Sequence, residues 1–197
     1  MKFVVLSSSR GTTFKSVIDR MKDGSLTAQC LGLITDRADR GCIEKAKAAG
    51  LPYRIVARLK EEDRETYDRK VHEAILALGK SDYIACMGWM WIFSPWFIRT
   101  WKNRIINVHP ALLPKFGGEG MYGHHVHDAV LQSKEKESGM TIHLMDEGVD
   151  TGAVLLQEIC PVLEGDTAEI LRKRVQELEV EAFPKVLQMI EKGELSI

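Results

Sequence analysis

The chain has 197 residues, 45% of them hydrophobic, and its 27 Lys and Arg nearly balance its 28 Asp and Glu, giving a formal net charge of -1. This length suits one domain with a substantial core, and the charge provides no broad basic surface for nucleic acid. The sequence contains neither a membrane-length apolar run nor a signal-peptide pattern. We therefore expect a cytoplasmic protein with no nucleic-acid or membrane partner.

The four cysteines are widely scattered and form no paired CxxC motif; they are Cys30, Cys42, Cys86 and Cys160. Scattered cysteines in or near apolar runs are typical of reduced, mostly buried thiols in a cytosolic protein.

Apolar runs alternate with amphipathic stretches through the first half of the chain. The apolar runs predict strands over residues 2–7, 30–35, 53–56, 82–87 and 104–108. Helical periodicity predicts helices over residues 13–21, 41–49 and 61–78. This alternation predicts an α/β fold, a Rossmann-like, mostly parallel twisted sheet with helices on both faces.

After residue 109 the pattern changes, and a Gly-rich loop leads into a short helix and two strands, predicted over 117–123, 125–132, 140–145 and 153–160. Asp166-Thr167-Ala168-Glu169 predicts a capping box that opens a C-terminal helix. Pro184 is expected to kink or break that helix near Phe183. No repeat or convincing linker interrupts the chain, so we predict a single domain over residues 1–197.

The turn Ser7 to Thr13 lies between the first predicted strand and the first helix. Its backbone N–H groups and hydroxyls could hold a phosphate at the carboxyl edge of the sheet. The turn is neither a Walker A loop nor a GxGxxG fingerprint. N-capping by a Ser or Thr side chain is the simpler interpretation.

Asn107 and His109 form the most informative pair in the sequence. Side chains two residues apart share a face of a strand, and Pro110 favours ending the strand there. Both groups would then project from a carboxyl end, where open parallel sheets bind ligands. Asp150, in an acidic loop downstream, can orient or charge the imidazole. An amide, an imidazole and a carboxylate together can stabilise an oxyanion and move a proton, although a lone histidine is more often structural.

Two further clusters have competing interpretations. His124, His125 and His127 could suggest a metal site, but no cysteine is near and the spacing matches no closed zinc site. We therefore expect no metal, and we expect one or two of these histidines to line a cleft or cap a helix. The aromatic segment from Trp89 to Phe97 is typical of core, although its backbone could edge a planar heterocycle.

Taken together, these residues resemble the folate-dependent formyltransferases that act on glycinamide ribonucleotide, over essentially the whole chain. The run from Asn107 to Pro114 resembles the catalytic strand and following loop of this family, and Asp150 in Val149-Asp150-Thr151-Gly152 matches its catalytic aspartate. The resemblance implies catalytic roles for Asn107, His109 and Asp150. It implies acceptor contacts from Gly11, Thr12, Thr13, Gln176 and Glu179, and formyl-folate contacts from Arg64, Met90, Trp91, Ile92, Phe93, Asn107 and Asp150.

The implied reaction transfers the formyl group of 10-formyltetrahydrofolate, a co-substrate, to the amine of glycinamide ribonucleotide. The products are N-formylglycinamide ribonucleotide and tetrahydrofolate. The resemblance implies that this reaction is a step of purine biosynthesis and needs no metal. In this scheme residues 1–100 form a phosphate-binding half, and residues 101–197 form a catalytic and folate-binding half. The imidazolium of His109 and the Asn107 amide would stabilise the oxyanion, while Asp150 would favour the charged imidazole.

Three features depart from the family pattern. Thr12-Thr13 stands where Ser-Asn is common, Trp91 stands where a basic residue is common, and the loop 116–123 is longer than the commonest form. Other hypotheses are a formyltransferase for an amino sugar nucleotide or methionyl-tRNA, a formyltetrahydrofolate hydrolase, and a noncatalytic nucleotide-binding module. The transferases usually carry an extra C-terminal domain, and the hydrolase an N-terminal regulatory one. We expect a monomer or a homodimer.

Overall fold

The computed structural model describes residues 1–195, in which seven strands alternate with six helices. The strands are β1 (Lys2–Leu6), β2 (Gln29–Thr35), β3 (Tyr53–Ile55), β4 (Tyr83–Cys86), β5 (Ile105–His109), β6 (Glu137–Leu144) and β7 (Val154–Pro161). The helices are α1 (Thr12–Lys22), α2 (Cys42–Ala48), α3 (Arg64–Leu78), α4 (Pro95–Thr100), α5 (His124–Gln132) and α6 (Ala168–Glu191).

All seven strands belong to one sheet with the order β3-β2-β1-β4-β5-β6-β7. The first five strands pair in parallel, whereas β6 and β7 run antiparallel to their neighbours. The predicted α/β class and the mostly parallel sheet are confirmed. The division of the chain into two functional halves stays a prediction.

Helices cover both faces of the sheet and so bury most residues of the central strands. Residues Phe3 to Leu6 of β1 are 0% exposed, as expected for a parallel strand covered on two sides. Helices α1, α2, α5 and α6 pack on one face, and α3 and α4 pack on the other. Since β1 pairs with both β2 and β4, the strand order reverses there, and the carboxyl ends of β1 and β4 open a crevice suited to ligands.

Helix α4 was not predicted, because its aromatic segment was interpreted as core or as the edge of a heterocycle site. Its start is encoded locally, since the Ser94 hydroxyl accepts a hydrogen bond from the Phe97 N–H at 3.3 Å and Pro95 occupies the first turn. Phe97 and Ile98 then enter the core.

A capping residue likewise sets the start of α3. The Asp63 carboxylate accepts from the Thr66 N–H at 3.0 Å, so this helix begins at Arg64, later than predicted.

The capping box predicted at the start of the C-terminal helix is wrong, and of the kink or break predicted at Pro184 the break does not occur. The N-cap of α6 is Thr167, whose hydroxyl accepts from the Ile170 N–H at 3.3 Å, while Asp166 binds Arg174 at 2.6 Å, so the predicted capping box does not form. Pro184 does not break the helix, which continues to Glu191. A proline inside a helix lowers the stability of that helix by about 3 kcal/mol. Burial of the apolar side chains that follow Pro184, such as Leu187, in the core offsets this cost.

The four cysteines are free and buried, which confirms the prediction of reduced thiols. No helix within the described residues is long and apolar enough to cross a membrane.

Candidate active site

A cleft of about 310 Å³ opens at the carboxyl ends of β1, β4 and β5. Its walls come from the segment after β4, the end of β5, the loops before α5 and after β6, and one face of α6. A cleft of this size at this edge of an α/β sheet suits a small-molecule ligand. The predicted site residues that line it are Met90, Trp91, Ile92, Phe93, Asn107, His109, Asp150, Gln176 and Glu179.

Asn107 is held by a histidine on the neighbouring strand. Asn107 and His143 are directly paired across β5 and β6, so their side chains lie on the same face of the sheet. The Asn107 Nδ2 atom lies 3.1 Å from His143 Nε2, and His143 Nδ1 lies 2.9 Å from the Leu144 carbonyl. A carbonyl can only accept, so Nδ1 carries the proton and Nε2 accepts from the Asn107 amide. Burial lowers the pKa of His143, which favours this neutral form.

His109 has a hydrogen-bond acceptor beside each ring nitrogen. Its Nε2 lies 2.7 Å from the Phe116 carbonyl, and its Nδ1 lies 3.4 Å from Asp150 Oδ2. Since the carbonyl takes a proton from Nε2, an attractive contact with the carboxylate requires a second proton on Nδ1. Each ring nitrogen of His109 therefore faces an oxygen acceptor. The contact with Asp150 is longer than a good hydrogen bond, which leaves the Nδ1 donor able to turn toward a substrate atom.

Asp150 lies between the two histidines and is bonded to the loop before α5. Its Oδ2 accepts from the Gly118 N–H at 3.1 Å, its Oδ1 lies 3.6 Å from His143 Nε2, and only 11% of its side chain is exposed. Both Asp150 and Phe116 have left-handed backbones, with φ of 59° and 56°. Such a conformation costs about 1 kcal/mol or more for a non-glycine residue, so the fold holds both groups around His109 at an energetic cost.

The turn after β1 opens α1 without a side-chain cap. Gly11 occupies the N-cap position with φ of 79°, and a Cβ there would lie 2.8 Å from Cys42 Cα. N-capping by Ser or Thr is therefore not observed. Ser9 Oγ instead shapes the turn by accepting from the Gly11 N–H at 3.1 Å. Among the residues that the structure describes, no side chain bonds to the first N–H groups of α1, the arrangement with which helix N-termini bind anions.

Three polar residues of α6 form a stripe along the cleft, namely Arg172, Gln176 and Glu179. Spacings of four and three residues place them on one helix face. The stripe reaches the turn after β1, because Thr13 Oγ1 donates to Glu179 Oε2 at 3.3 Å. Burial raises the pKa of Glu179 to about 7, against the opposing effects of the Thr13 hydrogen bond and the Arg172 charge. Glu179 therefore changes charge near neutral pH.

His127 also lines the cleft and is only 2% exposed. Burial is the main effect that lowers its pKa to about 4, with smaller contributions from the Arg172 and His124 charges. His127 is therefore neutral at physiological pH and contributes polarity without charge. Its position fits the expectation that a histidine of this cluster lines the cleft. Within residues 1–195, no group of three or more His, Cys, Asp or Glu side chains is arranged to hold a metal.

The structure brings together most of the predicted residues, but not all of them. Thr13 reaches the cleft wall through Glu179, whereas Gly11 and Thr12 lie beside the cleft and do not line it. Arg64 is the first residue of α3, is exposed and does not line the cleft. Its role stays a prediction.

Sequence reasoning missed His143 and Arg172. Arg172 had a usable signal, because it lies four residues before Gln176 on the same helical stripe. His143 had none, since its contact with Asn107 depends on the antiparallel register of β5 and β6.

Comparison with known proteins is consistent with this fold. A model of the formyl transferase family, described as "Formyl transferase", matches residues 1–187. The chain therefore belongs to the formyl transferase family.

Two named relatives and one solved structure are similar to nearly the whole chain. The chain is 36% identical over 196 residues to a trifunctional purine biosynthetic protein adenosine-3 of Drosophila pseudoobscura pseudoobscura, covering 98% of this chain but only 14% of that relative. It is 34% identical over 189 residues to the chloroplastic phosphoribosylglycinamide formyltransferase of Arabidopsis thaliana, covering 96% of this chain and 65% of that protein. A crystal structure of glycinamide ribonucleotide transformylase 1 from Symbiobacterium toebii matches with a TM-score of 0.92 and 31% identity, covering 100% of this chain and 90% of that one.

Proposed function

We propose that the protein transfers the formyl group of 10-formyltetrahydrofolate to the amine of glycinamide ribonucleotide. The observation that carries this proposal is the meeting of Asn107, His109 and Asp150 in one cleft, with a 3.4 Å contact between His109 Nδ1 and Asp150 Oδ2. Relatives whose names include this activity match nearly the whole chain and support the same reaction.

In the proposed mechanism, the amine of the acceptor attacks the formyl carbon and an oxyanion develops on the formyl oxygen. The Asn107 amide has two N–H bonds, of which one is used by His143 and the other is free to donate to the oxyanion. The His109 Nδ1 donor, only loosely held by Asp150, supplies positive charge to the same atom. One preorganised donor of this kind is worth about 3–4 kcal/mol of barrier.

Asp150 balances the charge on His109 and takes part in proton movement. As the new C–N bond forms, the attacking amine must lose a proton, and the folate nitrogen must gain one as its bond to the formyl carbon breaks. The Asp150 carboxylate lies beside His109 and is partly exposed to the cleft, where it can organise a water that relays this proton. No step requires a nucleoside triphosphate, because the formyl group arrives activated.

The protein binds the acceptor through its phosphate and ribose, which lie away from the reacting amine of the same molecule. Its phosphate fits the uncapped N-terminus of α1 at Thr12 and Thr13, and its ribose hydroxyls fit the polar stripe at Gln176 and Glu179. Anchoring these groups converts binding energy into orientation of the amine.

The test is to incubate the purified protein with 10-formyltetrahydrofolate, with and without glycinamide ribonucleotide, and to follow the deformylated folate by absorbance. We expect release only when the acceptor is present. Release without the acceptor would instead support a hydrolase. The absence of release in both mixtures would support a noncatalytic module or another acceptor.

A further inference from the structure

Arg172 is the residue of the α6 stripe to which the proposed mechanism gives no role. It lines the cleft four residues before Gln176, and 27% of its side chain is exposed. Its guanidinium is held by the Glu169 carboxylate, which accepts from Nε at 3.0 Å and from Nη2 at 2.7 Å. Two parallel hydrogen bonds of this kind fix the plane of the guanidinium. Within residues 1–195 they use two of the five N–H groups of Arg172, so three are left to donate to a ligand.

A buried histidine beside Arg172 lacks a hydrogen-bond partner. His127 is 2% exposed and lines the cleft, and among residues 1–195 its Nδ1 has no partner. Burial, helped by the charge of the nearby Arg172, lowers the pKa of His127 to about 4. The ring is therefore neutral at physiological pH, and one of its nitrogens can accept a hydrogen bond. An unpaired polar atom at this depth costs free energy, which a polar group of a ligand recovers.

The α6 stripe connects two ends of the cleft. Its Glu179 end contacts the turn after β1 through the Thr13 hydroxyl. Arg172 lies one end away, about 10 Å earlier along the helix axis. That end is near the reacting groups, because the charges of Arg172 and His109 both contribute to the lowered pKa of His127. A ligand that is anchored at the turn after β1 and reacts beside His109 therefore runs along the whole stripe.

The proposed acceptor has chemical groups in a matching order. Glycinamide ribonucleotide runs from a phosphate through a ribose and an amide to the primary amine. One methylene carbon separates the amide from the amine, so the amide lies close to the reacting groups when the amine attacks the formyl carbon. An amide offers one carbonyl acceptor and one N–H donor. Arg172 offers donors and the neutral His127 offers an acceptor, which makes the two side chains complementary to an amide.

A neutral ligand group fits this position better than an anion does. The Glu169 carboxylate already balances the charge of Arg172, and Glu179 lies on the same stripe. An anion beside Arg172 would be repelled by these carboxylates, whereas an amide uses the free N–H groups without adding charge. The neutral ring of His127 provides no positive charge to an anion either.

We propose that Arg172 and His127 form a binding site for the amide of the acceptor, in which Arg172 donates to the carbonyl oxygen and His127 accepts from the N–H. This inference rests on the proposed function, and it adds two residues that select an acceptor by its amide. Because the amide is held through both of its polar groups, the amine beyond it is directed toward the formyl carbon.

The test compares glycinamide ribonucleotide with an analogue in which two methylene groups replace the amide while the phosphate, ribose and amine are kept. Isothermal titration calorimetry measures both dissociation constants without turnover. Wild type should bind glycinamide ribonucleotide about tenfold or more tightly than the analogue, the value of a hydrogen bond to a charged group. In Arg172→Met the affinity for glycinamide ribonucleotide should fall about tenfold, and that for the analogue should stay within about twofold.

Two further variants sharpen the result. Arg172→Lys keeps a charged donor and should recover part of the affinity that Arg172→Met loses. His127→Leu removes the acceptor and should also weaken binding of glycinamide ribonucleotide selectively. Since Arg172 is partly exposed, its variants keep the test decisive if His127→Leu does not fold.

Arg174→Met is the matched control. Arg174 lies on the same helix and donates to the Asp166 carboxylate through Nη1 and Nη2 at 2.6 and 2.9 Å, but it does not line the cleft. This variant should keep the wild-type affinity for both ligands.

Three results would overturn the inference. They are equal affinity of wild type for the two ligands, an unchanged ratio of affinities in Arg172→Met or in folded His127→Leu, and an equal loss for both ligands in Arg172→Met, which would indicate a purely structural role. If wild type binds neither ligand, the proposed function fails together with the inference. Tight binding of glycinamide ribonucleotide with an unchanged ratio in Arg172→Met rejects the amide site alone.

Discussion

His143 fixes the orientation of the Asn107 amide. The 3.1 Å contact between Asn107 Nδ2 and His143 Nε2 can form only if the nitrogen of the amide, and not its oxygen, faces the imidazole acceptor. Burial lowers the pKa of His143, so Nε2 remains an acceptor at neutral pH. The second N–H of the amide is then directed away from His143 and is available to a developing oxyanion.

Replacing His143 by Phe should lower kcat by about tenfold or more. A well-placed oxyanion donor raises kcat by about 10²- to 10³-fold, and the Asn107 amide loses part of this effect when His143 no longer orients it. The KM values for donor and acceptor should change much less. His143→Gln should recover part of the rate, because its amide oxygen can accept from Asn107. Steady-state kinetics measure the effect, with His125→Phe, a change at an exposed histidine, as the control. A kcat within about twofold of wild type in His143→Phe would contradict this role.

Much of the fold could be predicted from local patterns. The buried parallel strands appear as continuous apolar runs, and the side-chain alternation of a strand placed Asn107 and His109 on one face. Helix α4 was missed although Ser94 and Pro95 form a standard helix start, because the aromatic residues around them were interpreted only as core or as the edge of a heterocycle site.

Other features depend on tertiary pairing that no local pattern reveals. The contact between Asn107 and His143 follows from strand register, and the approach of Asp150 to His109 follows from two left-handed residues in separate loops. The break predicted at Pro184 ignored the packing of the residues beyond it. Arg64 could be assigned only by resemblance, and the structure places it outside the cleft lining.

Asp150→Asn should remove the charge of this side chain while its left-handed backbone is kept. Asparagine tolerates the left-handed conformation that Asp150 adopts at φ of 59°, so the free energy of unfolding should stay within about 1 kcal/mol of wild type. Turnover should fall by about 10²- to 10⁴-fold, because the imidazolium of His109 and the proton relay lose their carboxylate. Urea unfolding and steady-state kinetics measure the two effects. Glu147→Gln removes an exposed charge from the same loop and serves as the control; near-normal turnover of Asp150→Asn would disprove the assigned role.

Changing both Thr12 and Thr13 to Ala should chiefly weaken acceptor binding. The change removes the hydroxyls beside the N-terminus of α1, including the one that donates to Glu179 at 3.3 Å. We expect the acceptor KM to rise about tenfold, the value of one or two hydrogen bonds to a charged group, with a smaller effect on kcat. Thr27→Ala, at an exposed threonine outside the cleft, is the control. An unchanged acceptor KM would argue against a phosphate site at this turn.

Buried His127 should make the fold less stable in acid. Its pKa is lowered by burial to about 4, whereas in the unfolded chain it is about 6.5. Between these values the unfolded state binds the extra proton, so the stability present above about pH 6.5 is lost as pH falls toward 4. His127→Asn should reduce the loss of unfolding free energy between about pH 6.5 and 5 by about 1.5 kcal/mol.

Urea titrations at both pH values measure this difference. His125→Asn, at an exposed histidine, should keep the wild-type dependence. If His127→Asn loses as much stability on acidification as wild type does, His127 is not the neutral buried group described above.

The most direct test of the proposed chemistry follows the formyl carbon itself. Donor labelled with ¹³C in the formyl group is mixed with glycinamide ribonucleotide and either wild type or His109→Ala, and the products are observed by NMR. We predict that wild type moves the label onto the glycinamide nitrogen as a formamide and that His109→Ala does so at least about 10²-fold more slowly. Label that appears as free formate, or that transfers equally fast in both proteins, would contradict formyl transfer by this site.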